Sequence, residues 1–333
     1  MDIPHDPFHN PSLAEIEEAA GIIRDLVPPT PQLRWPLLCK RLGTKAWIKH
    51  ENHTATGAFK LRGGLVYFHR LATSGMKPTG VITATTGNHG QSIAFAAQRY
   101  GIPATIIVPL GNSREKNAAM RARGVNLIEH GGDFQEAREH AIGLAAGGGL
   151  HMVPSFHRDL VTGVATSSLE FLRAVADLDV VYVPIGMGSG ICGMVAVRDA
   201  LNLGTRVVGV VSSFAPAYAH SFAQGKLIEH AVSTAIADGM AVRTPAADAL
   251  DVIWNGVERM VEVDDEEVEA AMRALFEDTH NVAEGAGAAA FAAALKERDR
   301  LRGKRVGMVL SGGNVDRDVF ARVLSGRTPS SAA

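Results

Sequence analysis

The sequence predicts an α/β fold of two doubly wound parallel sheets with a ligand cleft between them, and three observations carry this reading. Short β-branched runs that read as buried on both faces alternate with helical patterns of roughly 10–15 residues, the order that crossover helices impose on parallel strands. Three of these runs end in glycine-rich turns that open helices, and ligands of open sheets bind beyond such turns. The chain has 333 residues, 46% of them apolar, which is enough for two domains and a cleft.

Ser12 to Val27 reads as an amphipathic helix opened by a capping box of Ser12 and Glu15, and "VPPTPQLRWP" breaks it. From Ala46 onward the strand candidates are "AWIKH", "GVITA", "ATIIVP", "VNLIEH", "LHMV", "VVYVPI", "RVVGVV", "VERMVEV" and "RVGMVLS". Four of them fall between Val81 and Val153, separated by helices near Gly90–Tyr100, Ser113–Arg123 and Asp133–Ala146. Residues 72–152 are therefore expected to form a small domain, with "AAGGGL" at 145–150 as the return point. Residues 1–71 and 153–333 are expected to form a larger one, and the tail "GRTPSSAA" is expected to fray.

Composition excludes several function classes. Basic and acidic residues nearly balance, 33 against 35, and no basic run follows a predicted helix, which disfavours nucleic-acid and membrane-surface roles. The two cysteines, Cys39 and Cys192, are too few for a disulfide framework, lack metal-ligand spacing and read as reduced thiols. The start "MDIPHDPFHNPSLAEIEE" has acidic residues and prolines where a signal peptide has a basic end and an apolar run. With no stretch long and uncharged enough to span a bilayer, the expected location is cytoplasmic.

The three turns offer backbone amides to an anion. Thr85-Thr86-Gly87-Asn88-His89-Gly90 follows "VITA" and is either a carboxylate or phosphate cradle or a plain capped turn. Gly186-Met187-Gly188-Ser189-Gly190 follows "VVYVPI", and its packing of glycines is more specific for an anion. The segment also holds "GSGICG", a formal match to a dinucleotide fingerprint, yet the next strand, "RVVGVVSSF", lacks the acid that would clamp a ribose. Ser311-Gly312-Gly313-Asn314 follows the last strand and brings a serine hydroxyl to the same crevice, or simply caps a helix.

Lys60 stands among small and apolar residues in "TGAFKLRGG". A lysine at a helix start beside an aromatic ring suits Schiff-base chemistry, because desolvation frees the neutral amine. The stretch "IKHENHTATGAFKLRGG" resembles the lysine motif of fold-type II enzymes that use pyridoxal 5′-phosphate (PLP), in the branch of serine and threonine dehydratases and serine racemase. Lys49-x-Glu51 and Thr56-Gly57-Ala58-Phe59-Lys60-x-Arg62-Gly63 follow that motif, with Ala58 where serine is commonest. The resemblance continues in order through "TTGNHGQS", "GMGSG", "STAIADGMAV", "EGAGAAA" at 284–290 and "SGGN", from about residue 31 to 324.

The resemblance implies a tryptophan synthase β-like fold with PLP in the cleft. It implies that Lys60 carries PLP covalently, that Phe59 lies beside the ring and that Asn88 meets the ring hydroxyl. Gly186, Met187, Gly188, Ser189 and Gly190 would hold the phosphate, Ser311 the pyridine nitrogen, and Glu284 would stand near the ring or serve as a helix-start charge. The substrate carboxylate would sit on Thr85, Thr86, Gly87, Asn88 and His89. A serine at the pyridine nitrogen makes the ring a weaker electron sink than an aspartate would, which favours β-elimination over transamination. The expected activity is that of an ammonia-lyase: Lys60 takes the Cα proton of a β-hydroxy-α-amino acid, the β-hydroxyl leaves, and a 2-oxo acid and ammonia result.

Departures from the family pattern bear on the substrate. Thr86 stands where racemases have a serine acting as acid and base, so racemisation is an alternative, as is β-replacement. The stretch "SSFAPAYAH" lacks the carboxylates that bind a divalent cation in metal-activated members, so no metal is expected. Ser155, Phe156 and His157 of "VPSFHRD" are expected to line a pocket of altered shape, and Phe214, Pro216 and Tyr218 either add apolar bulk there or pack in the core. The substrate is then of the threonine or serine type, with phenylserine-like and 3-hydroxyaspartate-like compounds also in range. The C-terminal regulatory domain of biosynthetic threonine deaminases is not expected, and a homodimer is. From another class, a nucleotide-binding module would use "GSGICG" and leave Lys60 without a part.

Overall fold

Strands that alternate valine with valine present apolar side chains to both faces, and the computed structural model, which describes residues 8–175 and 177–326, covers both. The predicted frayed tail lies, from Arg327 onward, outside the described residues. The larger sheet has the order β1-β2-β10-β7-β8-β9, formed by β1 (Gln32–Leu33), β2 (Lys45–His50), β7 (Val180–Pro184), β8 (Arg206–Ser212), β9 (Arg259–Val263) and β10 (Arg305–Leu310). The smaller has the order β5-β4-β3-β6, from β3 (Val81–Ala84), β4 (Ala104–Val108), β5 (Asn126–Glu129) and β6 (His151–Met152). Every pairing is parallel except the antiparallel β1–β2.

The helices are α1 (Leu13–Ile23), α2 (Pro36–Leu42), α3 (Lys60–Thr73), α4 (Asn88–Tyr100), α5 (Arg114–Arg121), α6 (Phe134–Gly148) and α7 (Arg158–Ala174). They continue with α8 (Ser189–Ala200), α9 (Ala217–Gln224), α10 (Ala247–Gly256), α11 (Asp265–Thr279), α12 (Gly285–Lys296) and α13 (Arg317–Leu324). In β7, Val180 and Tyr182 join the core built with α11 and α12, while Val181 and Val183 join the core built with α7, α8 and α10. This two-sided burial is what the period of two dictates, and each fully buried valine contributes about 1.5–3 kcal/mol. Among the described residues no helix is long and apolar enough to cross a membrane, and Cys39 and Cys192 are free thiols.

Two expectations shift. The α1 capping box forms as read, but the helix closes at Ile23 rather than Val27, where the amides of Leu26 and Val27 both turn back to Ile23 and Pro28-Pro29 cannot continue. β5 is not buried on both faces: Asn126 and Glu129 are exposed, because it is an edge strand, and polar residues there discourage pairing with another chain.

The turn before Lys60 is stitched to the end of β10. Ala58 and Gly312 form an antiparallel bridge, Phe59 N donates to Ser311 O at 3.0 Å, and Gly313 N donates to Gly57 O at 2.9 Å. Behind α3 lies a buried ion network. Arg62 reaches Glu51 Oε2 at 2.8 Å and Glu170 Oε1 at 2.7 Å, Lys49 reaches Glu170 Oε2 at 2.5 Å, and Thr30 Oγ1 donates to Glu51 Oε1 at 2.6 Å. Burial alone would push the Glu51 carboxyl up, but the charges of Arg62 and Lys49 outweigh it and hold the group below its ordinary value.

The two sheets also meet through their helix starts. Asp316, at the N-terminus of α13, accepts from Ser113 Oγ at 2.5 Å and from the amides of Arg114 and Glu115, while Arg317 N donates to Glu115 Oε1 at 2.9 Å. Each helix start thus receives a carboxylate from the other.

Candidate active site

The carboxyl ends of β3, β7 and β10 carry the three glycine-rich turns, and with Phe59 and Lys60 they wall one cleft of about 840 Å³, its mouth included. Phe59, Lys60, Thr85, Thr86, Asn88, His89, Gly186, Met187, Gly188, Ser189, Gly190, Glu284 and Ser311 all line it. Gly87 lies in the turn itself, where an added Cβ would come within 2.4 Å of Lys116 Cδ.

Lys60 Nζ donates to Ser189 Oγ at 2.9 Å and stands 5.0 Å from the centre of the Phe59 ring. Burial, with no carboxylate beside it, pushes its ammonium down to about 8. Lys116, on the same wall, differs: its Nζ lies 2.6 Å from Asp238 Oδ2 and 3.3 Å from Glu284 Oε2, and these charges overcome burial and raise it.

The Thr85–Gly90 turn is held by its own first residue. Thr85 Oγ1 accepts from Gly87 N at 2.9 Å and from Gly90 N at 3.2 Å, so the Gly87 amide is engaged within the turn. The amides of Asn88 and His89, in the first turn of α4, have no intrahelical acceptor. His89 is buried, its Nε2 has no partner, and burial with the Lys60 charge pushes it down to about 3, which leaves a neutral ring.

Asn88 Nδ2 donates to Glu284 Oε1 at 2.5 Å, and Asn314 Nδ2 donates to Asn88 Oδ1 at 2.8 Å and to Thr56 O at 2.7 Å. Glu284 precedes α12 without capping it, so its carboxylate serves the cleft and not the helix start. Burial raises that carboxyl against the pull of Lys116 and Asn88.

The Gly186–Gly190 loop leads into α8 without a side-chain cap, leaving first-turn amides to face an anion. A Cβ on Gly186 would lie 2.3 Å from Gly239 O, and Gly188 has φ of +102° with a Cβ position 2.6 Å from Ala249 Cβ, so only glycine fits either place. Tyr218, fully buried, supports the loop from beneath: its hydroxyl donates to Met187 O and accepts from Ala246 N, both at 3.0 Å.

The expected pocket residues divide. Ser155 lines the cleft, and Phe156 approaches the Gly188 position at 3.6 Å. His157 does not line it: it caps α7, with Nδ1 accepting from Asp159 N at 3.1 Å and its ring against Tyr67. Phe214 is exposed and Pro216 sits at the start of α9, both away from the cleft walls. Sequence reading assigned no part to Lys116, Asp238, Asn314, Phe134 or Val242. A signal existed for Lys116, which shares the buried face of α5 with Met120 four positions on.

A family model described as "Pyridoxal-phosphate dependent enzyme" matches residues 23–312. The chain belongs to this family. Among curated members of the PLP-dependent family, it is 34% identical over 315 residues to the L-threonine ammonia-lyase of Thermotoga maritima, covering 94% of this chain and 78% of that one. It is 32% identical over 318 residues to the L-threo-3-hydroxyaspartate ammonia-lyase of Saccharomyces cerevisiae, covering 95% and 97%. The solved structure of maize serine racemase superposes with a TM-score of 0.87 at 27% identity, covering 96% of this chain and 98% of that one. The fold is the tryptophan synthase β-like fold II of PLP enzymes. The nucleotide-module reading of "GSGICG" gives way, and β8 ends in Ser212 with no acid for a ribose.

The residues present fit PLP. A desolvated lysine held by a hydroxyl rather than a carboxylate faces a loop in which Gly186 and Gly188 cannot bear side chains, and a phosphate dianion there would gain from the start of α8.

Proposed function

We propose that this PLP-dependent enzyme is an ammonia-lyase that converts a β-hydroxy-α-amino acid into a 2-oxo acid and ammonia. The observation that carries the reading is Lys60: a desolvated amine, hydrogen-bonded to Ser189 but with no charged partner among the described residues, between two anion seats, the Gly186–Gly190 loop and the Thr86–His89 turn. When bound, PLP withdraws electrons from the substrate's Cα. Lys60 would hold the cofactor covalently, and its freed amine would serve as the base that takes the Cα proton. The Thr86 hydroxyl and the amides of Asn88 and His89 seat the substrate carboxylate, with Thr85 and Gly87 shaping the turn.

The neutral His89 ring adds no charge against Lys60, so the lysine is free to cycle its proton. Phe59, Asn88 and Ser311 line the cleft beside Lys60; Phe59 would lie beside the cofactor ring, Ser311 would meet its pyridine nitrogen, and Asn88, backed by Glu284, would offer an N–H to its ring hydroxyl. The names of the ammonia-lyases from Thermotoga maritima and Saccharomyces cerevisiae support elimination from a β-hydroxy amino acid. Lys60→Ala tests the proposal: the visible absorbance of the lysine-bound cofactor and 2-oxo acid formation should both vanish, and full turnover in that variant would refute it.

A second reading, racemisation, rests on Thr86, whose hydroxyl is on the cleft wall with Lys60, and on the likeness to maize serine racemase. Inverted amino acid formed beside oxo acid would reveal it, and Thr86→Val should then abolish inversion while elimination falls only by the loss of one carboxylate hydrogen bond.

A further inference from the structure

The cleft has one wall that neither anion seat uses. Removing the phosphate loop, the carboxylate turn, Lys60 and the residues around the pyridine ring leaves the Lys116–Asp238 pair, Ser155 and a mainly apolar remainder that includes Phe134, Met240, Ala241 and Val242. Met240 and Val242 are buried, at 2% and 7% exposure, and Phe134 packs from α6 against the cluster of Ile82, Ala84 and Ile107. A short 3₁₀ turn, Asp238–Met240, fixes this wall, with Val242 N donating to Met240 O at 2.9 Å. Outside the Lys116–Asp238 pair, whose charges are turned on each other, the side chains of this surface offer a polar substituent only the Ser155 hydroxyl.

Charge points the same way. The cations that line the cleft are Lys60 and Lys116. Lys60 is held for the cofactor, and Lys116 is already matched by Asp238 and Glu284. His89 is neutral. A second substrate carboxylate would meet no free cation and would approach the Asp238 charge.

We infer that the β-substituent of the substrate is apolar and larger than a methyl group, as in an aryl-bearing β-hydroxy-α-amino acid, with Val242 and Phe134 as the residues that select it. This rests on the ammonia-lyase reading for the reaction, but the shape and charge of the wall decide it separately.

The holoenzyme is titrated with L-threonine, L-threo-phenylserine and L-threo-3-hydroxyaspartate, reading dissociation constants from the change in visible absorbance and turnover from oxo acid. Phenylserine is expected to bind at least about tenfold tighter than either other compound. Val242→Thr, nearly isosteric, should lower the preference for phenylserine over threonine by about tenfold while leaving the resting spectrum unchanged. Equal or tighter binding of 3-hydroxyaspartate or threonine would overturn the inference, whatever the turnover. Absence of oxo acid from all three compounds would overturn the ammonia-lyase reading, and the affinity order would still decide the inference.

Discussion

Asn314 donates its side-chain amide to Asn88 Oδ1 at 2.8 Å, joining residues 226 positions apart in the chain. The contact settles which way the Asn88 amide points. Its oxygen faces a donor, one N–H faces Glu284 Oε1 at 2.5 Å, and the second N–H is left for the cleft. Asn314→Asp replaces the donor with an acceptor and sets two oxygens against each other. The absorbance maximum of the bound cofactor should move and PLP affinity should fall at least about tenfold, the cost of a buried acceptor left unpaired. Asn314→Ser, which retains a donor, should lie between; a wild-type spectrum in the Asp variant would refute this positioning role.

The phosphate loop allows a paired test of fit. Gly186→Ala would push a methyl to 2.3 Å from Gly239 O, whereas Gly190→Ala would place one at 3.6 Å from the Phe59 ring, an ordinary contact. The first should weaken PLP binding by about 1–3 kcal/mol, as overpacking does, and the second by much less. Equilibrium dialysis of both variants checks the order, which fails if Gly190→Ala is the more damaging.

The network behind α3 should dominate stability there. Arg62→Ala strands the Glu51 carboxylate in a fully buried place, where Lys49, at 3.9 Å, is the remaining cation and the Thr30 hydroxyl the remaining donor. Breaking such a pair costs about 3–5 kcal/mol, and Arg62→Lys should recover only part, because an ammonium cannot fork between Glu51 and Glu170. Urea midpoints measure both, and a loss below about 1 kcal/mol for the alanine variant would contradict the estimate.

Lys60 sets a pH dependence in the apoprotein. Its folded pKa, about 8, lies below the unfolded value near 10.4, so between these pH values the unfolded state binds more protons and stability rises with pH. Apo Lys60→Met should therefore be more stable than apo wild type at pH 7, and the gap should close as pH rises through about 8 to 10. Adding PLP should reverse the order at pH 7, since on the proposed role only wild type adds a covalent bond to the contacts of the phosphate loop. Thermal melts across that range test the trend, and a gap that widens with pH would contradict it.

What the sequence makes legible is local. A strand, a glycine turn and a helix follow one another within about 10 residues, so Gly186–Gly190 and Thr85–Gly90 can be read directly, as can the place of Lys60 at a helix start beside Phe59. Partners chosen by tertiary approach cannot. Lys116 finds Asp238, and Asn88 finds Glu284 and Asn314, only after the two sheets have been placed against each other. His157 shows the converse: a histidine in a suggestive motif is taken by the start of its own helix. The exposure of β5 was hidden because strand order, which puts it at an edge, is not written in its own residues.

The bridge between Ala58 and Gly312 ties the turn that leads into the lysine helix to the turn that leaves the last strand of the sheet. Lys60 is therefore in place only once β10 has docked between β2 and β7, late in the order of the chain. Capture of the cofactor becomes a colour signal for finished assembly: a chain stalled before that strand is seated stays pale, and yellow protein is complete protein.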